Sequence, residues 1–135
     1  MIENVSGYIV MDMETNDFSV REAAERIRRK SEIREQERTG RRKRAREWAR
    51  RTAVHLGNRD RSLRRVFGFG STFEEWRNYR IDSDIDLGVE GGDWSLLMRS
   101  IPPSEFDVSI VELELQNTEF ADYVRAHGEM LYERQ

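Results

Sequence analysis

The sequence predicts an α+β fold, in which a small mixed β-sheet is covered on one face by helices and preceded by an N-terminal helical extension. Helix and strand patterns alternate over residues 41–135, whereas residues 1–40 contain only a short apolar segment (residues 8–11) and one charged helix. A chain of 135 residues can bury one modest core but not two. We therefore expect an extension over residues 1–40 and one folded domain over residues 41–135.

Two helices are predicted in the first half of the chain. Ser19 and Glu22 have the spacing of a capping box, which predicts a helix start at Ser19. A Thr-Gly pair at residues 39–40 is typical of a break between helices. The second helix is expected over residues 41–56, where apolar side chains share one face, and Gly57 is the expected C-terminal stop.

Short strands and helices alternate in the second half of the chain. Runs of apolar and β-branched residues bounded by Gly and Pro predict the strands, and capping residues predict the helix starts. We expect a strand over residues 63–69, a helical turn over 72–76, a strand from 84 to about 90, a helix over 93–99 capped by Asp93, a strand from 106 to about 113, a helix over 118–126 and a final strand over 130–132.

Three aspartates occupy solvent-side positions on two of the predicted strands. Asp84 and Asp86 alternate with apolar residues over residues 83–89, and Asp107 does the same over residues 106–110. If the two strands are neighbours, the three carboxylates converge, and such a group of like charges needs a cation. Ligands that are all oxygen favour a hard ion, so the pattern indicates a Mg²⁺ or Mn²⁺ site.

Composition excludes several classes of protein. The chain has no cysteine, which excludes disulfides, thiolate metal sites and cysteine nucleophiles. It has no apolar run of membrane-spanning length and no N-terminal signal pattern. We therefore expect a protein that resides in the cytoplasm and does not act in a membrane.

Charge is strongly segregated along the chain. Residues 19–65 contain eighteen basic and seven acidic residues, whereas residues 66–135 contain five basic and fifteen acidic residues. The basic stretch over residues 41–51 therefore has two interpretations, a nucleic-acid-binding surface and a solvated helix face that pairs with the acidic half. We favour pairing, because Trp48 is the one aromatic residue within the stretch and provides no series of stacking rings. An open sheet edge also leaves oligomer formation as an alternative.

Three segments together resemble a known family. Phe69-Gly70-Ser71, Asp84-Ile85-Asp86 and Phe106-Asp107-Val108 look like the signature of the polymerase β-type nucleotidyltransferases, and more closely that of the minimal nucleotidyltransferases (MNT). The resemblance covers about residues 44–135. It implies the nucleotidyltransferase fold, a turn at Gly70 and Ser71 that binds the phosphates of ATP or another nucleoside triphosphate, and catalytic aspartates, Asp84, Asp86 and Asp107, that bind Mg²⁺ (or Mn²⁺).

The resemblance also implies a biological role. Members of this family are often antitoxins that transfer AMP from ATP to a tyrosine of a small helical HEPN-type toxin, so we expect an enzyme of this kind. The chain departs from the family over residues 72–83, a longer insert without the basic residue that usually follows the serine directly. This departure leaves a second interpretation open, in which an inactive domain neutralises its partner sterically and binds nucleic acid through its basic helices.

Overall fold

The computed structural model describes residues 13–135, with side chains from residue 19 onward, and confirms the α+β class. The predicted apolar segment at residues 8–11 lies outside the described residues. The elements are α1 (Met13–Arg59), β1 (Leu63–Phe69), β2 (Ile85–Gly91), α2 (Trp94–Ser100), β3 (Val108–Glu112), a 3₁₀-helix (Leu113–Leu115), α3 (Thr118–His127) and β4 (Glu129–Glu133). No described helix combines the length and apolar character needed to cross a membrane.

The chain divides into two compact units, which meet between Glu37 and Arg38. The second unit, Arg38–Gln135, contains the sheet and the core described below. Most described side chains of the first unit are exposed, including Val20 and Ile27. The predicted domain boundary at residue 40 stays a prediction.

One continuous helix, α1, replaces the two helices expected from the sequence. It begins before Ser19, so the predicted start there is wrong, and it continues through residues 39–40 without a break. A single glycine within a helix costs only about 1 kcal/mol. Burial of Ala45 and Ala49 against the sheet offsets this cost, because their small side chains let the helix approach closely.

Gly57 lies inside α1 and does not end it, so the predicted stop is also wrong. A Cβ at this position would lie under 3.0 Å from three ring atoms of Tyr132, a residue of β4. The helix therefore uses a glycine here because the ring packs directly against the helix backbone. This contact lies far from Gly57 in sequence, and local sequence signals do not reveal it.

Gly57→Ala should destabilise the fold by about 1–3 kcal/mol, even though alanine is the better helix former, because the added methyl group overlaps the Tyr132 ring. Chemical denaturation followed by circular dichroism measures the change. Gly40→Ala is the matched control in the same helix. The nearest atom to its Cβ would be Arg44 Nη1 at 3.6 Å, so this change should stabilise by up to about 1 kcal/mol. Equal stabilisation by both substitutions would contradict the packing argument.

The sheet has four strands in the order β3-β2-β1-β4. β1 pairs antiparallel with β2 and β4, and β2 pairs parallel with β3. One face of the sheet carries the main core, where α1 and α2 cover the strands, as the sequence predicted. Its buried members are Ala45, Ala49, Ala53, Leu56, Leu63, Val66, Ile85, Leu87, Val89, Leu97, Phe106 and Ile110. The structure adds a helix on the opposite face, where α3 packs through Ala121 and Val124 against Phe67 and Leu113.

Arginines of α1 form ion pairs with acidic residues of the second half of the chain. The distances are 2.9 Å for Arg41 to Glu105, 2.5 Å for Arg46 to Glu75 and 2.7 Å for Arg50 to Glu129. These pairs confirm the predicted pairing between the two halves. Exposed pairs of this kind stabilise the fold little, but they orient α1 against the loops that follow β1 and α2 and against the start of β4.

Candidate functional site

A tight turn follows β1 at Gly70. The glycine has a φ of 76°, in the left-handed region, and its carbonyl accepts hydrogen bonds from the amides of Phe73 (3.1 Å) and Glu74 (2.8 Å). A Cβ at position 70 would lie under 3.0 Å from Asp86 Oδ2. Only glycine fits, because the backbone conformation and the close carboxylate both exclude a side chain. Ser71, the next residue of the turn, is partly buried.

Asp84 and Asp86 lie at the start of β2, next to this turn. Asp86 is paired with Phe69 of β1 and with Ser109 of β3, whereas Asp84 precedes the strand and is exposed. Burial raises the pKa of Asp86 to about 6, and the negative charges of Asp84 and Glu74 add to the rise. The two aspartates therefore lie close enough to repel each other.

Asp107 immediately precedes β3, and its carbonyl accepts a hydrogen bond of 2.8 Å from the amide of Ile85. Its neighbour Phe106 enters the main core, so Asp107 has the same strand parity as Asp86 and shares its face of the sheet. Among the described residues, however, no three Asp, Glu, His or Cys side chains form a group that could hold a metal ion. The structure brings Asp84 and Asp86 together, and the three-acid centre stays a prediction.

The pair of aspartates fits a hard divalent cation. Burial and the negative charge of Asp84 both disfavour ionisation of the Asp86 carboxyl, and a cation would relieve this unfavourable charge. Mg²⁺ in proteins is commonly held by one or two carboxylates, and its remaining ligands are waters and substrate phosphates. Asp84 and Asp86 are ligands of the chemical type and number that such an ion commonly takes.

Glu74 is a functional candidate that the sequence did not reveal. Its carboxylate is fully buried and accepts hydrogen bonds from the Gly70 amide, the Tyr123 hydroxyl and Arg77 Nε (3.1 Å). Burial raises the pKa of this carboxyl, but the hydrogen bonds from Tyr123, Gly70 and Arg77 outweigh burial and hold the pKa below its ordinary value. Glu74 thus connects the turn, the insert and α3 as an ionised carboxylate.

The insert places one of its two arginines at the site. Arg77 pairs with Glu74 and donates a hydrogen bond of 3.3 Å to the Tyr123 hydroxyl, and its charge lowers the pKa of Asp86 against the larger opposing effects. Arg80 instead pairs with Asp82 at 3.0 Å on the exposed side of the insert. Of the two arginines of the insert, Arg77 is therefore the one that bonds to the residues around the turn.

Arginines of α1 hold the insert through its backbone. Arg46 Nε donates to the Thr72 carbonyl at 2.6 Å, and Arg42 Nη2 donates to the Glu74 carbonyl at 2.7 Å. The hydroxyl of the fully buried Thr72 donates to the Asp84 carbonyl at 3.1 Å. These bonds fix the turn relative to the aspartates.

Comparison with known proteins supports the fold. No family profile matches the chain, and no curated protein matches it either. Two similar solved structures are a mutant of the toxin–antitoxin MntA-HpeT (22% identity, TM-score 0.49) and a toxin–antitoxin with AMP-PNP (24% identity, TM-score 0.50). Each alignment covers 64% of this chain and 74% of the other. The sheet and helices match the fold of the second of these structures, and at this identity the likeness shows the fold alone.

Proposed function

We propose that the chain is a Mg²⁺-dependent nucleotidyltransferase that transfers AMP from ATP to a tyrosine hydroxyl of a HEPN-type toxin and so acts as an antitoxin. The observation that carries the proposal is the pair Asp84 and Asp86, with Asp86 in close approach to the left-handed Gly70 turn. The pair offers carboxylate ligands for a cation, and the adjacent turn is the position to which the sequence resemblance assigns the phosphates. A cation site and a phosphate site are the two requirements of nucleotidyl transfer.

The residues of the chain have distinct roles in this proposal. The turn at Gly70 and Ser71 binds the phosphates, and Arg77 offsets their charge. Asp84 and Asp86 hold Mg²⁺, which when bound would neutralise charge on the phosphates. Asp107 accepts the proton of the attacking hydroxyl. The hydroxyl oxygen forms a bond to the α-phosphorus, the bond from that phosphorus to the β-phosphate oxygen breaks, and pyrophosphate leaves.

Support for the partner and the nucleotide comes from a neighbour in fold. The neighbour with a TM-score of 0.50 is a toxin–antitoxin with AMP-PNP, an analogue of ATP. The proposal extends to this chain both the nucleotide and the toxin–antitoxin pairing of that protein. The tyrosine acceptor and the HEPN type of the partner come from the resemblance of the sequence motifs.

Labelled ATP, Mg²⁺ and the purified partner should yield a labelled partner. Asp84→Asn and Asp107→Asn should each reduce the label by about 100-fold or more, because one removes a proposed metal ligand and the other a proton acceptor. Asp82→Asn is the matched control, because Asp82 is exposed and pairs with Arg80 away from the turn. It should leave labelling unchanged. Full labelling by Asp84→Asn would contradict the proposed catalysis.

One observation favours a second candidate function, steric neutralisation without catalysis. The carboxylate of Glu74 already occupies the Gly70 amide, which a phosphate would otherwise bind. If Glu74 keeps this position in the presence of ATP, the turn binds no phosphate. In that case Asp84→Asn neutralises the toxin as well as the wild type does, and ATP produces no heat in calorimetry.

A further inference from the structure

The insert carries a tryptophan with an exposed ring. Trp76 is 64% exposed, and its ring contacts His127 of α3 at a centroid distance of 6.0 Å and an interplanar angle of 83°. His127 in turn makes a tilted contact with Tyr123, with ring centroids 4.7 Å apart and an interplanar angle of 41°. The rings of Trp76, His127 and Tyr123 therefore form one series of contacts, here named the aromatic platform, in which Trp76 and His127 are exposed and Tyr123 is partly buried.

A single side chain, that of Glu74, connects the aromatic platform to the turn at Gly70. The hydroxyl of Tyr123 donates to one carboxylate oxygen of Glu74, and the other oxygen of Glu74 accepts the Gly70 amide. Trp76 follows Glu74 by two residues, so the insert connects the turn to the platform along the backbone as well. The aromatic platform and the turn are therefore connected both through the Glu74 side chain and through the backbone of the insert.

The aromatic platform also lies on the face of the sheet that carries Asp86. Phe120 of α3 makes an edge contact with Phe69, with ring centroids 5.6 Å apart. Phe69 is the strand partner of Asp86. A molecule with its phosphates at Gly70 could therefore extend over the face that α3 partly covers, towards the three rings.

We infer that the aromatic platform binds the base of the nucleoside triphosphate. The inference rests on the proposed function and adds to it a base subsite built from the insert. A purine is flat and stacks on aromatic rings of any identity, and an indole offers the largest such surface. Arg77, the residue after Trp76, bonds to Glu74 and Tyr123 beside the turn and supplies a positive charge for the triphosphate. The alternative is that the exposed ring of Trp76 contacts a protein partner. The experiment below distinguishes base binding from this alternative.

Isothermal titration calorimetry with Mg²⁺-ATP and with Mg²⁺-tripolyphosphate, which has no base, tests the inference. The wild type should bind ATP more tightly than tripolyphosphate. Trp76→Ala should weaken ATP binding about tenfold and leave tripolyphosphate binding unchanged. Trp76→Phe should restore most of the ATP affinity, because the ring can still stack. Leu115→Ala is the control, because Leu115 is a 74% exposed apolar residue on the 3₁₀-helix, and it should alter neither affinity.

Three results would overturn the inference, each in a distinguishable way. Equal affinity of the wild type for ATP and tripolyphosphate would remove the base subsite and leave the proposed function intact. Unchanged ATP affinity in Trp76→Ala, together with loss of toxin neutralisation, would assign the platform to the protein partner. Failure of the wild type to bind either ligand would refute the proposed function and with it the base subsite.

Discussion

Asp86→Asn should abolish nucleotidyl transfer and at the same time stabilise the protein. Loss of a proposed metal ligand should reduce labelling of the partner by about 100-fold or more. The stabilisation follows from the pKa of Asp86, which burial and the charges of Asp84 and Glu74 raise to about 6. At pH 7 this carboxylate is ionised at a free-energy cost of about 2–3 kcal/mol, which the neutral asparagine does not have.

The pH dependence of this gain has a definite sign. Because the folded-state pKa of Asp86 lies above its ordinary value of 3.8, its stabilising contribution is complete below pH 3.8 and is lost as pH rises through about 6. The stability difference between Asp86→Asn and the wild type should therefore be largest above pH 6 and should disappear near pH 4. Thermal unfolding of both proteins across this range measures it.

Asp84→Asn is the control for the stability effect. Asp84 is exposed, so its substitution should remove transfer with a smaller gain in stability. A destabilised Asp86→Asn protein would show that the carboxylate of Asp86 makes favourable contacts that outweigh its burial. That result would contradict the interpretation of Asp86 as a carboxylate whose negative charge is unfavourable in the absence of a cation.

Glu74→Ala should lower the free energy of unfolding by about 3 kcal/mol. The substitution leaves the Gly70 amide and the Tyr123 hydroxyl without their acceptor and removes the partner of Arg77. Because the folded-state pKa of Glu74 lies below its ordinary value of 4.5, its contribution is present above pH 4.5 and is lost as pH falls through the folded-state value. Urea denaturation at pH 7 and at pH 3 measures the free energy of unfolding of both proteins. The difference between Glu74→Ala and the wild type should be smaller at pH 3 than at pH 7.

Glu75→Ala is the matched control for Glu74→Ala. The carboxylate of Glu75 is exposed and pairs with Arg46 at the surface, so its removal should change the free energy of unfolding little at either pH. Equal losses in the two variants would contradict the assignment of Glu74 as the buried connection between turn and α3. A loss that does not depend on pH would contradict its ionisation.

Features with local signals were predictable from the sequence. Asp93 caps α2 as predicted and accepts hydrogen bonds from the Ser95 and Leu96 amides, because a carboxylate at this position satisfies free helix donors. α3 begins at Thr118, where the sequence placed it. The end of β1 at Phe69 was also predictable from a local signal, because the next residue is a glycine.

Features that depend on distant contacts were not predictable from local patterns. Gly57 looked like a helix stop because nothing nearby reveals that the Tyr132 ring packs on it. Glu74 looked like one more acidic residue of a loop, and only the fold brings Tyr123 to its carboxylate. Of the candidate site, the Asp84–Asp86 pair and the turn were predictable from spacing, whereas the connections between turn, insert and α3 were not.

The attachment of the insert has a consequence for its evolution and engineering. Arg42 and Arg46 hold the insert by its carbonyl groups, which every residue type provides. Exposed side chains of the insert can therefore be exchanged without loss of the loop's path, so ligand preference can drift rapidly at positions such as Trp76. The conformation of the insert also depends on Arg42 and Arg46. If the insert were transferred to a related domain without these two arginines, it would lose its conformation and any ligand recognition that depends on that conformation.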